Sequence, residues 1–166
     1  MRRLFGAIDW LNEWTGRIVG FQIVFIVGVV VYEVVMRSVF VRPTLWANET
    51  MVYVTAMAYL LGGGYTLLHR RHVIVDVIYQ RLLPRTRARL DLLTFLFFVI
   101  YMLTLIWVGW SFAWDSVQQR ETAGTPWNPP IYPVKLAIPL AGLLVLLQGL
   151  ANVVRDFYAA RGETRP

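Results

Sequence analysis

The chain alternates between long uncharged runs and short, charged, proline-bearing connections. The runs occupy residues 18–32, 50–68, 92–114 and 136–154, of 15, 19, 23 and 19 residues. A hydrocarbon core about 30 Å thick is crossed by about 20 helical residues rising 1.5 Å each. The last three runs meet that length unaided. The first meets it only by continuing through Glu33 and Arg37 to Phe40. The expected fold is therefore an all-α membrane protein, one membrane domain with four transmembrane helices at residues 18–40, 48–68, 91–114 and 134–154.

The connections carry their own signals. Residues 2–15 place Leu4, Ile8 and Leu11 on one helical face, with Phe5 and Trp14 flanking and Arg2, Arg3, Asp9 and Glu13 elsewhere. This predicts an N-terminal amphipathic helix in the membrane interface, ahead of the first span. Residues 42–47, with Pro43, make a turn short enough to force the first two spans into an antiparallel hairpin. Gly62, Gly63 and Gly64 close the second span. In the 69–90 loop, residues 72–83 read as a short surface helix that Pro84 breaks. The 115–133 loop holds Pro126, Pro129, Pro130 and Pro133, which exclude regular helix between Thr125 and Tyr132, so it should be extended and ordered against another part of the protein. Pro139 lies about two turns into the fourth span and should bend it. Residues 155–166 form a polar tail.

Composition supports a membrane setting and charge orients the chain within it. Hydrophobic residues make up 57% and charged ones 16%, the latter well below the roughly 25% of soluble domains. The net charge of +6 would suggest nucleic acid in a soluble protein, but its distribution points to membrane lipids instead, and no nucleic-acid partner is expected. With the amino terminus inside, twelve arginines fall in inner segments: residues 2, 3, 17, 70, 71, 81, 85, 87, 89, 155, 161 and 165. Only Arg42, Arg120 and Lys135 fall in outer ones, with Arg37 just inside the membrane. That bias places both termini in the cytoplasm. Asp9, Glu13 and Arg17 precede the first run and no small-residue cleavage site follows it, so the first helix reads as retained rather than as a cleaved signal. Without cysteine there is no disulfide and no thiolate metal site.

Glu33 is the costliest residue, about 22 Å across the core, where an unpaired charge costs at least a few kcal/mol. Arg37 follows one turn later in the favourable acid-before-base order. Glu49, returned alongside by the hairpin, offers a second acceptor. The cluster reads first as a structural ion pair, second as contact with a membrane partner, and third as ion or proton handling. Mid-depth positions, Gly28, Tyr59, Met102, Leu103, Thr104 and Leu144, include no carboxylate, lysine, arginine or histidine, whereas transporters place such groups there. His69 and His72 sit at or beyond the inner end of the second span, away from where haem ligands project. A His69, His72 and Asp76 metal site is opposed by Arg70 and Arg71. No nucleophile–base constellation or phosphate loop is present, so neither an enzymatic activity nor a cofactor is expected. Ala58, Gly62 and Thr66 form a small-residue stripe for close helix contact, within the chain or with another subunit. Trp107, Trp110 and Trp114, with Trp46 and Trp127 at the same level, form an aromatic belt. Gln148 is expected to hydrogen-bond across helices.

These residues carry a family resemblance. Tyr32-Glu33-Val34-Val35-Met36-Arg37, then Trp46-x-x-Glu49, then Leu61-Gly62-Gly63-Gly64-Tyr65 and His72-x-x-x-Asp76, in that order within a four-span plan, resemble the small membrane subunit of tripartite ATP-independent periplasmic (TRAP) transporters. The 126–133 run resembles members with a longer third loop. The resemblance implies a large membrane subunit of about twelve spans as partner, carrying the substrate and sodium sites and moving as an elevator. It also implies a periplasmic substrate-binding protein that delivers organic anions of carboxylate type. The small subunit would then be a scaffold and outer docking surface in a bacterial inner membrane. Glu33, Arg37, Trp46, Glu49, Ala58, Gly62, Thr66, His72, Asp76 and Trp127 are the candidate structural or subunit-contact residues. A membrane anchor of a redox complex and a freestanding small transporter are the alternatives.

Overall fold

A computed structural model describes residues 2–69 and 84–160. Four helices account for almost all of them: α1 (Arg2–Ser38), α2 (Trp46–Leu68), α3 (Pro84–Gln118) and α4 (Tyr132–Ala160). All four are long and apolar enough to cross a membrane. The short surface helix expected over 72–83, with candidates His72 and Asp76, lies outside the described residues.

The helices do not form a closed, four-sided bundle. α4 packs against all three others, α1 also packs against α2, and α3 has α4 as its main neighbour. α4 carries more of the buried residues than any other helix, among them Ala137, Ala141, Val145, Leu146, Gln148 and Ala151. Small side chains bring the neighbours close. A Cβ placed on Gly149 would stand 2.5 Å from the Phe98 ring, so α3 and α4 meet over bare backbone there. Pro139 sits inside α4, which runs helical from Tyr132 to Ala160. Gly109 of α3 lies against Ile138 and Pro139, its absent side chain leaving room for the Ile138 side chain, which a Cβ would meet at 2.9 Å.

One boundary differs from the sequence expectation. Residues 2–15 are helical, but they are not a separate element: α1 runs without a break for 37 residues, about 55 Å at 1.5 Å per residue. The reason lies in its inward stripe. Asn12, Gly16, Val19, Gln22, Ile26, Val29, Glu33 and Met36 are buried or half-buried, at steps of three or four residues, with no change of phase near residue 16. The outward positions are Trp10, Ile18, Phe21, Val24, Val31 and Val35, and Phe21 is 80% exposed. Polar residues inward and apolar residues outward invert the order of a helix in water, and suit one surrounded by lipid or by another membrane protein.

Two shorter segments close the end that holds the α1–α2 and α3–α4 connections, the outer end in the orientation expected from the charge pattern; the opposite end is the inner one. After α1 the chain turns at Val41, a β-branched residue in the left-handed region (φ 52°), and the Arg42 N–H donates to the Met36 carbonyl at 3.0 Å. The proline-rich connection is ordered, as expected. Thr122 and Pro130 form an antiparallel bridge, the Ile131 N–H donates to the Glu121 carbonyl, and the Gly124 N–H donates to Asn128 Oδ1 at 2.9 Å.

Candidate functional site

The polar side chains inside this fold gather at its two ends. At the outer end Glu33 is buried, 7% exposed, and its two oxygens are used separately. Oε1 accepts from Arg37 Nη2 at 2.9 Å. Oε2 accepts from the Thr44 backbone N–H at 3.1 Å and from the Thr44 hydroxyl. The expected Glu33–Arg37 pair is therefore present, and Thr44, which sequence reasoning missed, ties it to the turn. Short polar side chains in a turn commonly bond locally, so Thr44 beside Pro43 was the available signal.

Glu49 does not take the role expected of it. Arg37 pairs with Glu33, while Glu49 Oε2 is buried with no hydrogen-bond partner among the described residues. The i,i+4 spacing within one helix holds Arg37 over Glu33, so a helix away Glu49 does not compete. Trp46 packs its ring on Tyr32 at 5.7 Å between centroids, joining the start of α2 to α1. Trp127 is half-exposed in the outer loop. In the same region Lys135 makes an ion pair with Glu121 and lies 3.9 Å from the Phe112 ring centroid. Its ammonium holds the Glu121 carboxyl below the usual carboxylate range.

At the inner end a hydrogen-bonded network joins three helices. Asn12 and Gln148 are both fully buried, and Asn12 Nδ2 donates to Gln148 Oε1 at 2.9 Å. Gln148 Nε2 donates to Asp9 Oδ1 and to Asn152 Oδ1. Asn152 Nδ2 donates to the Leu67 carbonyl of α2, and Arg155 pairs with Asp9 at 2.5 Å. The cross-helix role expected of Gln148 holds. The partners Asp9, Asn12, Asn152 and Arg155 were missed because Asp9 and Asn12 fall in the segment read as interfacial. The spacing of Asn12, Gln22 and Glu33, ten and eleven residues, was the signal that they share one seam.

Gly62, Gly63 and Gly64 lie within α2, which continues to Leu68 rather than ending at them. In the small-residue stripe Ala58 is half-buried, a Cβ on Gly62 would stand an ordinary 3.8 Å from Val19 of α1, and the Thr66 hydroxyl bonds back to the Gly63 carbonyl. The tight contacts fall on the next residues instead. A Cβ on Gly63 would meet Val145 at 3.1 Å, and one on Gly64 would meet Asn12 Oδ1 at 1.9 Å. The His69 ring packs against Tyr65 at 4.3 Å between centroids, tilted by 44°, and lies 3.6 Å from Glu13 of α1.

A single chain with four helices long and apolar enough to span a membrane, bonded polar clusters toward the helix ends and apolar residues turned outward has the form of a polytopic membrane protein. Residues 26–159 match the family described as tripartite ATP-independent periplasmic transporters, DctQ component. The match covers most of the chain, which belongs to that family and is a small component of a TRAP transporter. Curated proteins offer no match to this chain.

Proposed function

We propose that this chain is the non-catalytic scaffold subunit of its transporter, set in a bacterial inner membrane with both termini in the cytoplasm. It braces a large membrane subunit that carries the substrate and sodium sites and moves as an elevator. Its outer end, with Glu33, Arg37, Trp46, Glu121, Lys135 and Trp127, helps dock the soluble binding protein that delivers organic carboxylates. The basic inner segments fix the orientation, and residues 2–15 add hold at the inner surface. The observation that carries the reading is how the polar groups are spent. The ionisable side chains placed in the fold lie toward its ends, the principal ones bonded to one another, while α1 and α3 offer apolar faces to a neighbour. A brace needs such faces; a solute path needs polar groups at mid-depth.

The test is co-expression with a large TRAP subunit, purification in mild detergent and reconstitution. A stable complex whose uptake into liposomes needs both chains and the binding protein supports the proposal. Transport by this chain alone, or no complex with the large subunit, overturns it.

A further inference from the structure

The outer half of α3 carries a groove that the fold leaves open. Ile106, Trp107, Trp110, Ser111, Trp114 and Asp115 line it on one face of the helix; Ile106 at its edge also packs on Gly142 of α4, and the other five are exposed. The Trp110 and Trp114 rings are nearly parallel, 9° apart with centroids at 6.2 Å. Trp107 is 80% exposed below them. Asp115 is exposed above them and forms no ion pair among the described residues.

The neighbouring side of the same helix end shows what this combination binds. There an aromatic face (Phe112) and a carboxylate (Glu121) hold the Lys135 ammonium between them. Trp110, Trp114 and Asp115 repeat the ring-plus-carboxylate pair one face around, and the chain supplies no ammonium to fill it. We propose that this groove is a headgroup site for a phospholipid bearing an ammonium group, of the phosphatidylethanolamine kind. The cation lies against the indole faces beside Asp115 and the acyl chains descend past Trp107 and Ile106. The charge complementarity is specific: a carboxylate at the rim attracts an ammonium and repels an anionic glycerol headgroup, and indole faces add cation–π attraction. The site requires only that α3 lie in a membrane, so it stands apart from the scaffold role.

Native mass spectrometry of the full chain released from nanodiscs of equal phosphatidylethanolamine and phosphatidylglycerol reads the preference directly. The expected result is selective retention of phosphatidylethanolamine, reduced about threefold or more by Asp115→Asn and by Trp110→Leu with Trp114→Leu. Glu121→Gln should leave the retention unchanged, since it empties the neighbouring site instead. Equal retention of both lipids, or retention indifferent to Asp115→Asn in a variant with wild-type melting behaviour, overturns the proposal. So does a photo-crosslinker at Ser111 that captures another protein of the transporter rather than lipid.

Discussion

The two polar ends are built on different principles. The inner network joins residues 85 or more positions apart: Asn12 with Gln148, Asp9 with Arg155, Asn152 with the Leu67 carbonyl. Its central members are neutral amides with no exposure. The outer contacts are short-range: Glu33 with Arg37 and Thr44, Glu121 with Lys135. Arg37 itself is 67% exposed. The inner end therefore reports on the mutual position of three helices, and the outer end on two turns. Disturbing the first should loosen the whole fold, whereas disturbing the second should affect one connection.

Gly64→Leu is the strongest way to break this contrast. The new side chain would occupy the place of Asn12 Oδ1 and press on Leu144, so Asn12 must give up its bond to Gln148 or α1 must move away. Overpacking of this kind costs about 1–3 kcal/mol, and a large drop in thermal stability in detergent is expected. Gly62→Ala, facing Val19 at 3.8 Å, is the internal comparison and should be nearly neutral. A Gly64→Leu protein that melts like the wild type would show that α1 and α2 do not meet there.

Gln148→Leu comes next. It leaves Asn12 and Asp9 without a shared partner, and interhelical hydrogen bonds in membranes contribute about 0.6 to 1.7 kcal/mol. In a double-mutant cycle, Asn12→Leu and Gln148→Leu should be strongly non-additive, while Thr44→Val and Gln148→Leu should be additive, being at opposite ends. Thr44→Val should cost about 1 kcal/mol, because the buried Glu33 keeps Arg37 and the backbone N–H of residue 44 but loses the hydroxyl. Coupling between Thr44 and Gln148 would mean the two ends are one cooperative unit.

The span count and the Glu33–Arg37 pair were legible in the sequence because both are local properties: run length against bilayer thickness, and spacing of four along one helix. So was the ordered proline loop. The course of α1 was not. Leu4, Ile8 and Leu11 share a face whether that face meets lipid beside the membrane or within it, and only a partner at residue 148 shows that Asn12 turns inward. The glycines divide the same way. A stripe at every fourth residue marks a helix face, but Gly63 and Gly64 became the close contacts because α4 and α1 cross α2 there, and no spacing within α2 encodes that crossing. Glu49 shows the converse: it was expected as a second acceptor for Arg37, but Arg37 pairs with Glu33 and Glu49 Oε2 has no hydrogen-bond partner among the described residues.

The smallest effect separates a surface tie from a buried one by pH. The Lys135 ammonium favours the charged form of Glu121, so its carboxyl titrates below the ordinary value of 4.5. A depressed acid binds its proton later in the folded state than in the unfolded one. Its stabilising share is thus complete above the unfolded value and is lost as pH falls through the folded one. The difference in melting temperature between wild type and Glu121→Gln should be constant from neutral pH down to about 5 and close below about 4. Raising the salt should shrink it, because both partners touch solvent. The Asn12–Gln148 bond carries no charge and is sealed from water, so the penalty of Gln148→Leu should be insensitive to salt. If the two penalties respond alike to salt, the inner end is wet, and the distinction between a three-helix clamp and a turn fastening fails.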